Sequence, residues 1–225
     1  MSWDSIWEEV FRCQPWGKYP SEDVIRFVAR NFYKVPDRGS VNILEVGCGT
    51  GANLWYIAKE GFAAYGIDGS ASAIATCRQR MDAEVPGWKG ELTEGDVSSL
   101  PYGDDCFDAV IDIECIYANL YDDAKRIYQE AHRVLKPGGK FLSKTFASGS
   151  AGDGTGSKIG HNAWLVAEGP LAGNGTSRFT SESEINGLLT PLKVISIDRV
   201  SRSEGNRSTE IVEWVVIAEK TDRSS

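Results

Sequence analysis

The sequence is poor in the residues that build metal sites and crosslinks. Its 225 residues include two histidines and five cysteines, and the cysteines are scattered without a Cys-x-x-Cys pair. An odd number of isolated cysteines is typical of reduced thiols rather than of a disulfide framework or a zinc site. We therefore expect no metal centre and no disulfide bonds.

Basic clusters and long apolar runs are also missing. The formal net charge is −8 and no run of lysine or arginine occurs, whereas proteins that bind nucleic-acid backbones usually carry a basic face. No apolar stretch approaches membrane-spanning length, and residues 1–5 lack a signal-peptide pattern. We expect a cytoplasmic monomer or homodimer whose partner is a small-molecule acceptor, with no nucleic-acid or membrane partner.

The most informative feature that is present is a set of three glycines at alternate positions. The apolar run Asn42–Val46 leads into Gly47, Gly49 and Gly51, and a helical pattern starts at Ala52. This order predicts a buried strand, a tight turn and a helix N-terminus. Because glycine has no Cβ, a nucleotide-like ligand can approach such a turn closely.

An acid next to this turn separates two interpretations. The glycine spacing also fits G-x-G-x-x-A, the dinucleotide fingerprint in which a helix N-terminus binds a pyrophosphate. Glu45 would repel a phosphate, but it suits a ligand with a cationic centre. S-adenosylmethionine carries a sulfonium and an ammonium and has no phosphate. The turn resembles E/D-x-G-x-G-x-G, the first motif of class I S-adenosylmethionine-dependent methyltransferases.

Two further acids extend this resemblance. The apolar run 63–68 ends in Asp68, where a carboxylate can accept both ribose hydroxyls in either nucleotide family. In the methyltransferases, the acid matching Asp96 binds the adenine amino group and the residue matching Val97 packs on the ring. The resemblance, to small-molecule enzymes of the type 11-like group, covers residues 41–146. It implies S-adenosylmethionine as cofactor, bound by Glu45, Gly47, Gly49, Gly51, Asp68, Asp96 and Val97.

Alternating strand and helix patterns predict an α/β fold. We expect a doubly wound, mostly parallel, seven-stranded Rossmann-like sheet that ends in an antiparallel hairpin. Strands are predicted at 42–46, 63–67, 91–95, 107–113, 139–146, 192–201 and 209–219. Helices are predicted at 21–34, 52–60, 71–81 and 121–135, with another starting at Ser181.

Two segments flank or interrupt this pattern. We expect residues 1–40 to form an N-terminal helical lid or cap and residues 41–225 to form the cofactor-binding domain. Trp3, Trp7 and Phe11 recur every four residues, which indicates a helix face that packs in the core or covers the site. Residues 147–180 are rich in glycine and serine and show little periodicity, so we predict an acceptor-site insertion that is functional or disordered.

Candidate catalytic residues follow from where the acceptor should bind, beyond the carboxyl ends of the strands. Glu114 follows the fourth strand and is either a polar group facing the acceptor or a solvated or capping acid. His161, in the insertion, is placed to act as a base near neutral pH or is a plain loop residue. Arg178 is either an anchor for a substrate carboxylate or phosphate, or a surface arginine.

The favoured function is methyl transfer from S-adenosylmethionine to O or N of a small molecule. Residues 16–20 resemble the leader of bacterial methyltransferases associated with surface-sugar biosynthesis, which suggests a sugar or sugar nucleotide acceptor. Quinone or natural-product acceptors fit the same core. A nicotinamide-linked Rossmann oxidoreductase and a non-catalytic S-adenosylmethionine-binding protein remain as alternatives; Glu45, Asp96 and the terminal hairpin argue against the oxidoreductase.

Overall fold

The computed structural model describes residues 3–14 and 16–221. Residues 1–2, in the predicted lid, and residues 222–225, in the predicted cofactor-binding domain, lie outside the described residues. Pro15 lies outside them as well. The helices are α1 (Ile6–Cys13), α2 (Glu22–Phe32), α3 (Ala52–Lys59), α4 (Ala71–Glu84), α5 (Tyr121–Val134) and α6 (Glu182–Leu189). The strands are β1 (Asn42–Val46), β2 (Ala63–Asp68), β3 (Gly90–Glu94), β4 (Phe107–Ile113), β5 (Leu135–Phe146), β6 (Ser157–Gly160), β7 (Ala163–Leu165), β8 (Thr176–Arg178), β9 (Lys193–Glu204) and β10 (Thr209–Glu219).

The central sheet has seven strands in the order β3-β2-β1-β4-β5-β10-β9. Strands β1 to β5 pair in parallel, whereas β10 is antiparallel to both β5 and β9. The predicted doubly wound sheet with an antiparallel end is therefore confirmed. The strand order reverses between β1 and β4, and ligands of such sheets bind beyond the carboxyl ends of the strands at this position.

Helices cover both faces of the sheet. Adjacent residues of β1 point to opposite sides, so Ile43 packs with α2, α3 and α4 while Leu44 packs with α5 and α6. Both side chains are fully buried. Among the described residues, no helix has the length and apolar character needed to cross a membrane.

The strands of the insertion were not predicted from the sequence, and its role at the acceptor site stays a prediction. Part of the insertion forms a second, three-stranded antiparallel sheet in the order β6-β7-β8. These strands have only four, three and three residues, which is too short for alternation of apolar and polar residues to be visible in the sequence. Phe179, directly after β8, is fully buried beside Phe146 at the end of β5, so the small sheet is attached to the domain core.

The N-terminal segment lies against the carboxyl edge of the large sheet. Glu8 of α1 accepts hydrogen bonds from the hydroxyls of Ser70 and Ser72 at the start of α4. A carboxylate at a helix N-terminus is favourable because the free amides there carry partial positive charge. Trp3 packs so closely on Gly69 that a Cβ at that glycine would overlap its indole ring. These contacts hold α1 over the site described below.

Packing requires the third glycine of the turn. Gly51 has φ = 81° and precedes the first residue of α3. A Cβ there would overlap Sγ of Cys77 on α4. Gly51 is thus needed both for its left-handed backbone and for the close approach of α4.

Substituting Gly51→Ala should lower the free energy of unfolding by roughly 2–4 kcal/mol, the sum of left-handed strain and overpacking. Urea denaturation measures the change. Gly154→Ala is the matched control, because Gly154 has φ = 78° with open space around its Cβ position, so only the backbone strain should remain. Equal losses in the two variants would contradict a packing role for Gly51.

Candidate functional site

A cavity of about 540 Å³ opens at the carboxyl ends of β1 and β4. One half is formed by the glycine turn and by the residues that follow β2 and β3. The other half is formed by the loop after β4 and by the antiparallel end of the sheet. Side chains of α1 and of residues 16–21 close the top. The cavity therefore lies where the strand order predicts a ligand site.

The glycine turn brings the backbone of β1 close to the loop after β4. Gly47 and Gly49 have φ of 66° and 50° and both line the cavity. The amides of Gly47 and Cys48 donate to the carbonyl of Ile67, at 2.8 and 3.1 Å. A Cβ at Gly47 would overlap Sγ of Cys115. Gly47 and Gly49 thus shape the cavity, whereas Gly51 serves packing against α4.

Glu45 is the most unusual group in the cavity. Its side chain is 2% exposed, Oε1 accepts a hydrogen bond from Nδ2 of Asn53 at 2.6 Å, and Oε2 has no hydrogen-bond partner among the described residues. Burial raises the pKa of Glu45 to about 8 against the effect of Asn53, and Asp68 and Asp112 add to the rise. An unsatisfied buried carboxyl is costly, so this position favours a cationic partner.

Sequence reasoning missed Asn53, which connects Glu45 to the N-terminal region. Its Oδ1 accepts a hydrogen bond from the backbone amide of Ser21 at 2.9 Å. Ser21 is the residue that caps α2, as predicted, by accepting from the amide of Asp23. An asparagine in the first turn of a helix gives no sequence signal for this role, because its partner lies 32 positions away in the chain.

Asp68 lines the cavity beside the glycine turn. Its two oxygens accept hydrogen bonds from the amides of Gly49 and Ser70, at 2.8 and 2.9 Å. Burial raises the pKa of Asp68, and these two hydrogen bonds act in the opposite direction. Each carboxylate oxygen has a further lone pair available to accept from a ligand hydroxyl.

Val97 and Asp96, the two residues predicted to contact the adenine, have different environments. Val97 is 8% exposed and lines the cavity, as does Gly95. Asp96 between them accepts hydrogen bonds at Oδ1 from the amide and hydroxyl of Ser98, at 2.9 and 2.7 Å, and so stabilises the turn after β3. The contact of Asp96 with an adenine amino group stays a prediction.

These residues fit S-adenosylmethionine better than a dinucleotide. Glu45, Asp68 and Asp112 are all buried carboxyls near the glycine turn. A cation beside Glu45 would favour its ionised form, whereas a pyrophosphate there would oppose that ionisation. Glu45, Asp68 and Val97 would hold the cofactor, with the turn at Gly47 and Gly49 giving it access to the backbone. When bound, S-adenosylmethionine supplies an electrophilic methyl group.

The opposite wall is one face of the antiparallel end of the sheet. Phe146 of β5 pairs with Glu213 of β10, and Ile211 of β10 pairs with Arg202 of β9. Because alternate residues of a strand share a face, Lys144 lies on this face as well. All five residues line the cavity. Sequence reasoning missed Glu213, although it is the one charge in the apolar run 211–217.

Lys144 links the charged groups of this wall. Its Nζ lies 3.1 Å from Oε2 of Glu213, 3.4 Å from Oε1 of Glu114 and 3.9 Å from Oδ2 of Asp23. Burial disfavours the charge of Lys144, but Glu114 and Glu213 outweigh it and raise the pKa of the lysine. Burial and Glu114 raise the pKa of Glu213 to about 7 against the effect of Lys144. The wall therefore carries an excess of carboxylates.

The two predicted catalytic residues lie in different places. Glu114 lines the cavity, has φ = 55° and approaches Lys144. His161 lies in the turn between β6 and β7 with 62% of its side chain exposed, where Nε2 pairs with Oε1 of Glu184 and the ring contacts Tyr121. The structure brings Glu114, and not His161, to the cavity.

Arg178 is not at the surface, and it is not among the residues that line the cavity. It is fully buried at the end of β8, and its Nη1 donates a hydrogen bond to Oγ1 of Thr180 at 2.7 Å. It lowers the pKa of Asp112, which burial raises to about 6. The surface interpretation is therefore wrong, whereas the role of Arg178 as a substrate anchor stays a prediction.

Aromatic side chains form the roof of the cavity. The rings of Trp7, Phe11 and Trp16 contact one another with centroid separations of 5.2 to 6.2 Å. Phe11 also packs over Gly49, with ring carbons 3.2 and 3.3 Å from the position of a Cβ. The predicted aromatic face of α1 thus lies over the cavity, and its assignment as a lid stays a prediction.

We expect Glu45→Gln to raise the Tm of the ligand-free protein at pH 8 by several degrees, since each kcal/mol corresponds to about 2–4 °C in a domain of this size. Between pH 4.5, the ordinary pKa of the side chain, and about pH 8, Glu45 is ionised in the unfolded chain and protonated in the folded protein. Unfolding therefore releases a proton and stability falls as pH rises. The gain should be small at pH 5.

Glu45→Gln should also bind S-adenosylmethionine about tenfold more weakly, a loss of about 1.4 kcal/mol in binding free energy. The reason is that the cationic groups of S-adenosylmethionine lose the carboxylate of Glu45 as a partner. Differential scanning fluorimetry and calorimetry measure the two effects. Glu91→Gln, which removes an exposed carboxyl on β3, should change neither. A Tm change for Glu45→Gln that is equal at both pH values would contradict the buried, protonated state.

Comparison with known proteins gives both relatives and structural neighbours. A family profile described as "Methyltransferase domain" matches residues 43–139. Norajmaline N-methyltransferase from Rauvolfia serpentina is 31% identical over 127 residues, which are 56% of this chain and 42% of that protein. Fatty-acid O-methyltransferase from Mycolicibacterium smegmatis is 33% identical over 127 residues, 54% of this chain and 44% of that protein. The chain thus spans less than half the length of these two curated relatives.

The fold itself occurs in a SAM-dependent methyltransferase from Methanosarcina mazei. The TM-score is 0.69 at 22% identity, and the alignment covers 91% of this chain and 100% of that one. The two chains share the fold over nearly their whole length. The profile match identifies residues 43–139 as a methyltransferase domain, and the likeness to the solved structure shows that the methyltransferase fold extends over most of the chain.

Proposed function

We propose that this protein transfers the methyl group of S-adenosylmethionine to O or N of a small-molecule acceptor. The observation that carries the proposal is the buried Glu45 beside the glycine turn, whose Oε2 has no hydrogen-bond partner within the described part of the chain. A cationic, phosphate-free nucleoside would stabilise the ionised form of this group, whereas a pyrophosphate beside it would disfavour that form. This argues for a methyl donor and against a nicotinamide cofactor.

The cavity supplies a separate region for the acceptor. Tyr117 and Phe146 stack edge to face at 4.8 Å below this region, and the aromatic roof lies above it. Apolar walls of this kind exclude water and hold a flat or apolar molecule in one orientation. Orientation alone can contribute roughly 7–11 kcal/mol to a reaction between two bound partners, so the main task of the chain is alignment.

The acceptor is best explained as an apolar natural product or a similar ring compound. The predicted sugar nucleotide carries a diphosphate, which Glu114 and Glu213 on the acceptor wall would repel. The aromatic roof and Phe146 fit an apolar body instead. Relatives named for an alkaloid and for a fatty acid support small-molecule acceptors in general.

Calorimetry with S-adenosylhomocysteine, S-adenosylmethionine and NAD tests the cofactor assignment. We expect both adenosyl compounds to bind and NAD to bind at least about a hundredfold more weakly, a difference of about 2.7 kcal/mol. Asp68→Asn should weaken adenosyl binding by about tenfold or more, because hydrogen bonds to charged groups contribute about 1.5–3 kcal/mol. Asp122→Asn, at an exposed position on α5, is the matched control.

The outcomes separate the alternatives. Preferential binding of NAD would support an oxidoreductase and overturn the proposal. Binding of S-adenosylmethionine without release of S-adenosylhomocysteine, across a panel of amines, alcohols, phenols and carboxylates, would instead support a non-catalytic binding protein.

Removing the imidazole of His161 should leave methyl transfer intact. The structure places this side chain in an exposed turn where it pairs with Glu184, so we expect the kcat/KM of His161→Ala to stay within about threefold of the parent, under about 1 kcal/mol. Steady-state release of S-adenosylhomocysteine measures it. A loss above about a hundredfold would return His161 to the site as a base.

A further inference from the structure

The acceptor wall has more negative than positive charge close to its buried surface. Glu213 is 9% exposed, and its carboxylate, together with those of Glu114 and Asp23, surrounds the single ammonium of Lys144 at 3.1 to 3.9 Å. Arg202, on the same face, pairs with Glu204 at 2.8 Å with its side chain mostly exposed. One lysine thus has to balance three carboxylates, which leaves this wall suited to another cation.

A second, independent feature of the cavity is an amide oxygen without a partner. Asn119 lines the cavity and is 7% exposed. Its Nδ2 donates to the carbonyl of Cys115 at 3.4 Å, which orients the amide, while Oδ1 has no hydrogen-bond partner among the described residues. A buried acceptor atom of this kind favours a ligand that brings an N–H or O–H donor.

Aromatic rings flank both features. Trp7 and Trp16 line the roof, and Tyr117 and Phe146 line the floor. Ring faces attract organic cations through the negative potential above the ring. Carboxylates, an unpaired amide oxygen and aromatic faces all favour the same ligand chemistry, a positively charged N–H donor on an apolar body.

We propose that the methyl acceptor is an amine with an apolar or aromatic body, bound as its ammonium by Glu213 and Glu114 near Asn119, and that Glu213 takes the proton which the nitrogen must lose. This inference rests on the proposed methyl transfer. It makes Glu213 a catalytic residue, since the carboxylate touches the reacting group. It also excludes carboxylate and phosphate acceptors, which the same wall repels.

The proton step is balanced as follows. An N–H bond of the bound ammonium breaks, its proton goes to a carboxylate oxygen of Glu213, and the electron pair stays on nitrogen as the lone pair that accepts the methyl group. Glu213 then returns its proton to water. Burial and Glu114 raise the pKa of Glu213 to about 7 while Lys144 lowers it, and a base with a pKa near the working pH is effective. Asp23 on α2 and Arg202 on β9 are the other charged groups at this wall.

Binding of matched probes to the protein saturated with S-adenosylhomocysteine tests the inference. The probes are phenethylamine, 2-phenylethanol and phenylpropanoate, which share one aromatic body. We expect calorimetry at pH 8 to show the amine binding about tenfold more tightly than the alcohol and the carboxylate. Glu213→Gln should remove most of this preference. Glu210→Gln, on the same strand but on its other face, should keep it.

Turnover gives the second readout. With phenethylamine and tryptamine as acceptors, we expect kcat to rise with pH and to level off above about pH 7, and Glu213→Gln to lower kcat and to abolish this inflection. Glu114→Gln, which keeps Glu213, should shift the inflection to lower pH because the neighbouring charge is removed.

Three results would overturn the inference. These are an alcohol or carboxylate that binds as tightly as the amine, a panel in which no amine binds while S-adenosylhomocysteine does, and an unchanged pH profile in Glu213→Gln. Failure of S-adenosylhomocysteine itself to bind would count against the proposed function instead, so the two failures are distinguishable.

Discussion

The site depends on one buried carboxyl group that the protein leaves half satisfied. Glu45 is the second-last residue of a strand in the middle of the sheet. It receives a hydrogen bond from Asn53 at one oxygen and has no hydrogen-bond partner at the other among the described residues. A fold can tolerate such a group only if a ligand stabilises it or if the group keeps its proton, and burial, which raises the pKa of Glu45, favours the second state in the free protein. A cationic ligand that binds beside Glu45 would stabilise its ionised form and so offset the desolvation of this carboxyl.

The two halves of the cavity are built from different structural elements. The cofactor half consists of turns after parallel strands, where Gly47 and Asp68 are fixed by backbone hydrogen bonds. The acceptor half is the flat face of an antiparallel sheet, where side chains such as Phe146 and Glu213 stand next to each other in register. Backbone-built turns keep their shape when side chains change, whereas a sheet face changes its chemistry with each substitution. This difference explains how one fold can keep its cofactor and vary its acceptor.

The N-terminal helix joins these halves from above. Glu8 attaches α1 to the start of α4 beside Asp68, and Phe11 lies over Gly49. The same helix carries Trp7 to the acceptor region. The proposed cofactor and the proposed acceptor would therefore both lie under this N-terminal segment. Coverage by the segment would exclude water from the reacting atoms.

The sequence by itself determined the order of strands and helices, the glycine turn and the positions of Glu45 and Asp68 at strand ends, because each depends on neighbours only a few residues away. Tertiary structure decided the rest. Glu213 and Glu114 share Lys144 only because the strand order places β10 beside β5. Arg178 is buried, and His161 is held at Glu184, because the short strands of the insertion form their own sheet. Contacts between residues far apart in the chain leave no periodic signal in a single sequence, so only the folded arrangement could assign these side chains.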